Sequence, residues 1–147
     1  MENKVSEKEK YYTPSIQEFH VGFECEWQCK IRKETWNKQI CDTDLVNIAY
    51  SAIEHSDEEE LYSEQFRVKY LDKEDIESFG FKFDGKGTYK LSNYCLTGQL
   101  EYQNIEIEQT HEDVCMGEWK YYDELIFRGK IKNKSEFSRL LKQLSII

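Results

Sequence analysis

The residues of this chain with the clearest chemical capacity lie on stretches that alternate polar and apolar. Between Phe19 and Ile31 the polar positions include His20, Glu24 and Glu26. In a strand Glu24 and Glu26 point the same way, about 7 Å apart. Two like charges so placed call for cations across the sheet or a metal ion between them. Glu24 and Glu26 are therefore the candidate metal ligands, here for a metal-dependent enzyme. A second set is cationic: Arg67 and Lys69 on one alternating stretch, and Arg128, Lys130 and Lys132 on another. Together with an aromatic ring from Trp119 or Tyr121, these groups have the chemistry to hold a phosphate and stack a base. The simpler expectation is structural. Glu24 and Glu26, and likewise Glu106 and Glu108, can sit opposite these cations on neighbouring strands.

Other chemistry is sparse. Histidines 20, 55 and 111 are scattered, and no serine or cysteine lies in a nucleophile elbow. His111 and Cys115, beside Glu112 and Asp113, read as a loop. The Asp84-Gly85-Lys86-Gly87 segment reads as a turn, not a phosphate loop. No catalytic residue and no cofactor are therefore assigned. Five cysteines (25, 29, 41, 95 and 115) contain no Cys-x-x-Cys pair. Cys25, Cys29 and Cys41 match no common zinc spacing, so reduced, buried thiols are expected.

These side chains need a scaffold. The chain has 147 residues, with 14% aromatic, 39% hydrophobic and 33% charged. The aromatic content argues for a packed core. No run approaches the roughly 18 apolar residues of a membrane helix, and MENKVSEKEK has no apolar leader core. A cytoplasmic protein is expected. The net charge of −9 argues against direct nucleic-acid binding and anionic membranes. The segment 128–142 departs from this, with six basic side chains against one acidic.

Residues 1–12 are expected to form a charged arm and 13–147 a single domain. The Phe19–Ile31 alternation predicts a long strand with a bend near Gly22. The 44–54 stretch predicts an amphipathic helix started near Asp42 or Thr43, with Leu45, Val46, Ile48, Ala49, Ala52 and Ile53 at helical spacing. The acidic run 57–60 reads as a solvated loop. Residues 66–70 predict a strand. Asp72 with Asp75 three residues on, stopped by Gly80, predicts a short capped helix. A hairpin turning at 84–87 follows, then strands over 99–109 and 124–131, with a turn or bulge near Gln103-Asn104. Asn133 caps a last helix that buries Phe137, Leu140, Leu141 and Leu144. The expected class is α+β: an antiparallel or mixed sheet of about five or six strands, with two or three helices mainly on one face.

Two resemblances add to this. GFECE (22–26) resembles the Gly-x-Glu-x-Glu strand of glutamine-synthetase-like carboxylate–amine ligases, which implies magnesium at Glu24 and Glu26. This chain is short for that catalytic domain and lacks a nucleotide-binding partner motif. More of the chain, YYTPSIQEFHVGFECE (11–26), RVKYLDKEDIESFGFKF (67–83) and FRGKIKNKSEFSRLLKQL (127–144), resembles a family of small proteins carried by phages and mobile elements of Bacteroides-type gut bacteria. The chain departs from that pattern at Gln17, Cys25 and Phe79, and no functional residues carry over.

The resemblance implies a phage accessory protein of the host cytoplasm. Such a protein would bind without catalysis, sequestering a nucleotide-like signal or covering a host defence protein. A homo-oligomer is compatible with the aromatic content. Alternatives are the metal-dependent enzyme, an acidic nucleic-acid mimic using Glu54 and Asp57 to Glu60, and a minor virion protein.

Overall fold

The computed structural model describes residues 10–29, 35–54 and 64–147. The class is α+β, with two antiparallel sheets and three α-helices of six or more residues among the described residues. Among the described residues, nine strands shared between two sheets replace the expected single sheet of five or six. The chain divides into two compact units at Tyr70–Leu71, each with its own core. Most of the expected N-terminal arm and the acidic run 57–60 fall outside the described residues.

The first unit contains β1 (Tyr11–Tyr12), β2 (Glu24–Cys29), β3 (Asn37–Ile40), α1 (Thr43–Glu54) and β4 (Glu64–Lys69). Its sheet order is β1-β4-β2-β3. The expected thirteen-residue strand is shortened to β2. Residues 16–18 form a 3-10 turn, and Gly22, at φ +90°, reverses the chain. Phe23 N–H donates to His20 O across that reversal. Val21 consequently points to solvent, although its spacing matches the buried Phe19, Phe23 and Cys25. Asp42 caps α1 by accepting from Leu45 N–H at 2.8 Å. The helix turns Leu45, Ala49 and Ala52 onto Phe66 and Val68, while Ile48 falls off this stripe and is exposed. β3 is exposed along its length, so it carries no one-sided apolar pattern by which a strand is read.

The second unit is a five-stranded meander: β5 (Lys82–Phe83), β6 (Tyr89–Leu91), β7 (Tyr94–Gln99), β8 (Asn104–Cys115) and β9 (Glu118–Lys130). Helices α2 (Lys73–Ser78) and α3 (Lys134–Gln143) complete it. Both expected caps are present: Asp72 accepts from Asp75 N–H, and Asn133 accepts from Glu136 N–H. Phe137, Leu140 and Leu141 join Ile76, Phe81, Leu96, Ile105 and Ile107 in the core, with Leu144 partly buried against them. The phase break near Gln103-Asn104 is a 3-10 turn ending on Gln103 in the left-handed region. Gly98, opposite Ile105, admits no side chain, because a Cβ there would meet the Asn104 carbonyl oxygen at 2.3 Å.

The expected loop at 111–115 is instead strand, and β9 begins six residues before the expected 124. The two strands meet at Met116-Gly117, both with positive φ, as in the tight turns that match strand twist.

Candidate functional site: an acidic aromatic ribbon

β7 pairs with β8 from Gln99↔Asn104 to Tyr94↔Gln109. One further rung is made by the turn residue Asn93. Its carbonyl accepts from Thr110 N–H at 2.7 Å, and its side-chain amide donates to Thr110 O at 3.1 Å. Beyond Thr110, β8 pairs only with β9, as far as Cys115↔Glu118. Residues 110–115 therefore run as a two-stranded ribbon for about 20 Å past the three-stranded part of the sheet.

Cross-strand partners share a face. One face carries the pairs Thr110/Asp123, Glu112/Tyr121 and Val114/Trp119. The other carries His111/Tyr122 and Asp113/Lys120. Met116 is fully exposed, and Val114, Trp119, Tyr121 and Tyr122 are each more than half exposed. Glu112, Asp113, Glu118, Asp123 and Glu124 against the single Lys120 leave this segment strongly acidic.

The ribbon is nevertheless ordered by its own side chains. Thr110 Oγ1 donates to Asp123 Oδ1 at 2.6 Å. The His111 and Tyr122 rings stack with centroids 5.1 Å apart; His111 Nε2 lies 3.0 Å from Glu124 Oε2 but without hydrogen-bond geometry. Where the ribbon leaves β7, a concavity of about 520 Å³ opens, lined by Lys90, Asn93, Cys95, Thr110, Glu112 and Tyr121 among others.

The residues singled out in the sequence are not assembled into one phosphate pocket by the second unit. Trp119 and Tyr121 lie on the ribbon, whereas Arg128 is nine and seven residues further along the same strand, roughly 20 to 30 Å away. Arg128 instead donates to Glu106 Oε1 at 2.8 Å, its direct cross-strand partner. Lys130 stands opposite Asn104, and Lys132 just past the strand donates its main-chain N–H to Glu136.

Arg67 and Lys69 belong to the first unit, on β4. Lys69 is opposite Tyr11. Arg67 donates to Glu26 at 2.6 Å and lies over the rings of Tyr11 and Trp36. The charge of Glu26 is thus met by a guanidinium rather than left for a cation shared with Glu24. Among the described residues no cluster of three or more His, Cys, Asp or Glu side chains is placed to hold a metal ion.

Cys25 and Cys41 are buried with their sulfurs 3.5 Å apart. The hydrogen bond between them and burial push the Cys25 thiol up, and the same bond holds the Cys41 thiol down. Cys95 is half-buried and Cys115 exposed. The Cys29 side chain lies outside the described atoms.

The ribbon is what sequence reasoning missed. A Met-Gly turn between two runs holding Val114 and Trp119 to Tyr122 was the available signal. Comparison with family models, curated proteins and solved structures yields no match.

Proposed function

We propose that this chain is a binding protein rather than a catalyst, and that its target is another protein engaged through the 110–124 ribbon. The observation carrying this reading is the exposure of Val114, Met116, Trp119, Tyr121 and Tyr122 on one projecting element. Tyrosine, tryptophan and methionine are enriched where proteins meet, and tryptophan and tyrosine are among the residues that carry most of the affinity. The carboxylates around them select a basic partner surface and steer its approach. They also set one ribbon against another, so the favoured partner is a different protein.

The nucleotide-sequestering reading is less well supported. The guanidiniums of Arg67 and Arg128 are already engaged by Glu26 and Glu106, leaving fewer cations for a phosphate. The resemblance to phage and mobile-element proteins favours a host target in the bacterial cytoplasm, with a defence protein as the reading it supports best. Among the described residues no helix is long and apolar enough to cross a membrane.

The test compares what the wild-type chain and the Trp119→Ala/Tyr121→Ala variant retain from host extract. A host protein held at low salt, released by added salt and absent from the variant is expected. Retention by both forms would overturn the role of the ribbon. A nucleotide-sized adduct in native mass spectrometry of the purified protein would overturn the protein-target reading.

A further inference from the structure

In an antiparallel ladder, successive residues turn their main-chain N–H and C=O groups to opposite sides. Thr110 directs both of its groups toward Asn93. Glu112 and Val114, two and four residues on, therefore direct theirs to that same side. Among the described residues no strand pairs with β8 there, since β7 ends at Tyr94↔Gln109 and Asn93 closes only the Thr110 rung. The ribbon thus carries an open edge of two rungs, one end of which adjoins the 520 Å³ concavity.

We propose that this β8 edge takes an extended basic segment of the partner protein as an additional strand, in line with β7 and beginning where Asn93 stops. The inference rests on the reading of the ribbon as the docking element and names how that element is used. Main-chain hydrogen bonds to Glu112 and Val114 supply the register, and side chains on the two faces supply the selection.

Glu112 lies on one face of the added strand's site, Asp113 on the other, and Val114 again on the first. An antiparallel partner segment would therefore place an apolar residue opposite Val114 and basic residues opposite Asp113 and Glu112. The concavity, walled by Thr110, Glu112 and Tyr121, leaves room for the basic side chain opposite Glu112. Charge complementarity selects this occupant over a second copy of the chain, whose own ribbon is acidic. The outer edge of β9 has open main-chain groups as well, but the concavity borders the β8 side, where its wall includes Asn93 and Glu112.

The probe is an acetylated and amidated pentapeptide, Thr-Val-Lys-Lys-Val, with Thr-Val-Glu-Glu-Val as its charge control. Amide hydrogen exchange of the full chain is followed by NMR. Saturating lysine peptide is expected to slow exchange at Glu112 and Val114 about tenfold, with Trp119 and Tyr121 amides unchanged and the glutamate peptide inert. Proline on an open edge removes the donor without breaking the ladder behind it. Val114→Pro is therefore expected to bind about tenfold more weakly than Val114→Ala, which trims the side chain but keeps the N–H, so the difference between the two reads the loss of one hydrogen bond.

Protection at Trp119 and Tyr121 instead would move the added strand to β9 and overturn the proposal. Binding that survives in Val114→Pro, with shifts confined to side chains of the ribbon, would overturn strand addition and leave the ribbon as a docking surface. No binding of the lysine peptide at millimolar concentration would overturn both.

Discussion

Arg67 donates to Glu26 at 2.6 Å, and its guanidinium carbon lies 3.9 and 4.3 Å from the ring centroids of Tyr11 and Trp36. Both charged side chains are only 19% exposed. The first unit thereby closes its four-stranded sheet with one arginine that bridges β4 to β2 and covers itself with aromatic rings.

Removing that arginine leaves Glu26 without its cation and two rings without their filling. Arg67→Ala is expected to cost about 2–3 kcal/mol. A double-mutant cycle with Glu26→Gln, read by denaturant unfolding, should return a coupling of about 1–2 kcal/mol. The more exposed Arg128–Glu106 pair should return at most about 1 kcal/mol in the same experiment. Equal couplings for the two pairs would contradict the difference in burial.

Asp84 accepts main-chain N–H groups from Lys86 and Thr88. These bonds favour its ionised form and hold its carboxyl below the usual aspartate range. A depressed folded-state pKa stabilises the hairpin at pH above the unfolded carboxylate value. That contribution is lost as pH falls through the folded value. NMR titration should show Asp84 protonating at lower pH than an ordinary aspartate, with the Lys86 and Thr88 amides shifting in the same step. Asp84→Asn should remove that step.

Side chains of the ribbon should contribute little to folding, whatever they do for binding. Trp119→Ala and Tyr121→Ala are each expected to change stability by no more than about 0.5 kcal/mol. Phe137, fully buried between Phe79 and Phe81, should cost about 3–5 kcal/mol when replaced by alanine. Thermal unfolding of the three variants distinguishes these outcomes. A large loss in Trp119→Ala would place the ribbon in the folding core instead of on its surface.

Thiol reactivity should follow exposure. Iodoacetamide applied to the native protein is expected to modify Cys115 first and Cys95 more slowly. The buried Cys25–Cys41 pair should react only on unfolding. Peptide mapping by mass spectrometry checks the order, and early modification of Cys25 would mean that the first core opens readily.

What the sequence determined by itself is mostly local. The caps at Asp72 and Asn133, the turn at 84–87 and the buried stripe of α3 follow from interactions between residues three to seven apart. The α+β class follows from the mixture of helical and strand periods. Cross-strand neutralisation was among the readings that the alternation of Glu26, Arg67, Glu106 and Arg128 supported, but it could not name the partners. Glu26 and Arg67 meet across 41 positions of sequence, as Cys25 and Cys41 meet across 16. Only sheet register brings such pairs together. The ribbon was hidden for a related reason. Strands are legible when one face is buried and the other wet, and from Thr110 to Asp123 neither face joins the core. Tertiary structure alone decided that β7 stops at Tyr94 while β8 and β9 continue, and that relation leaves the aromatic side chains and the open edge available to a partner.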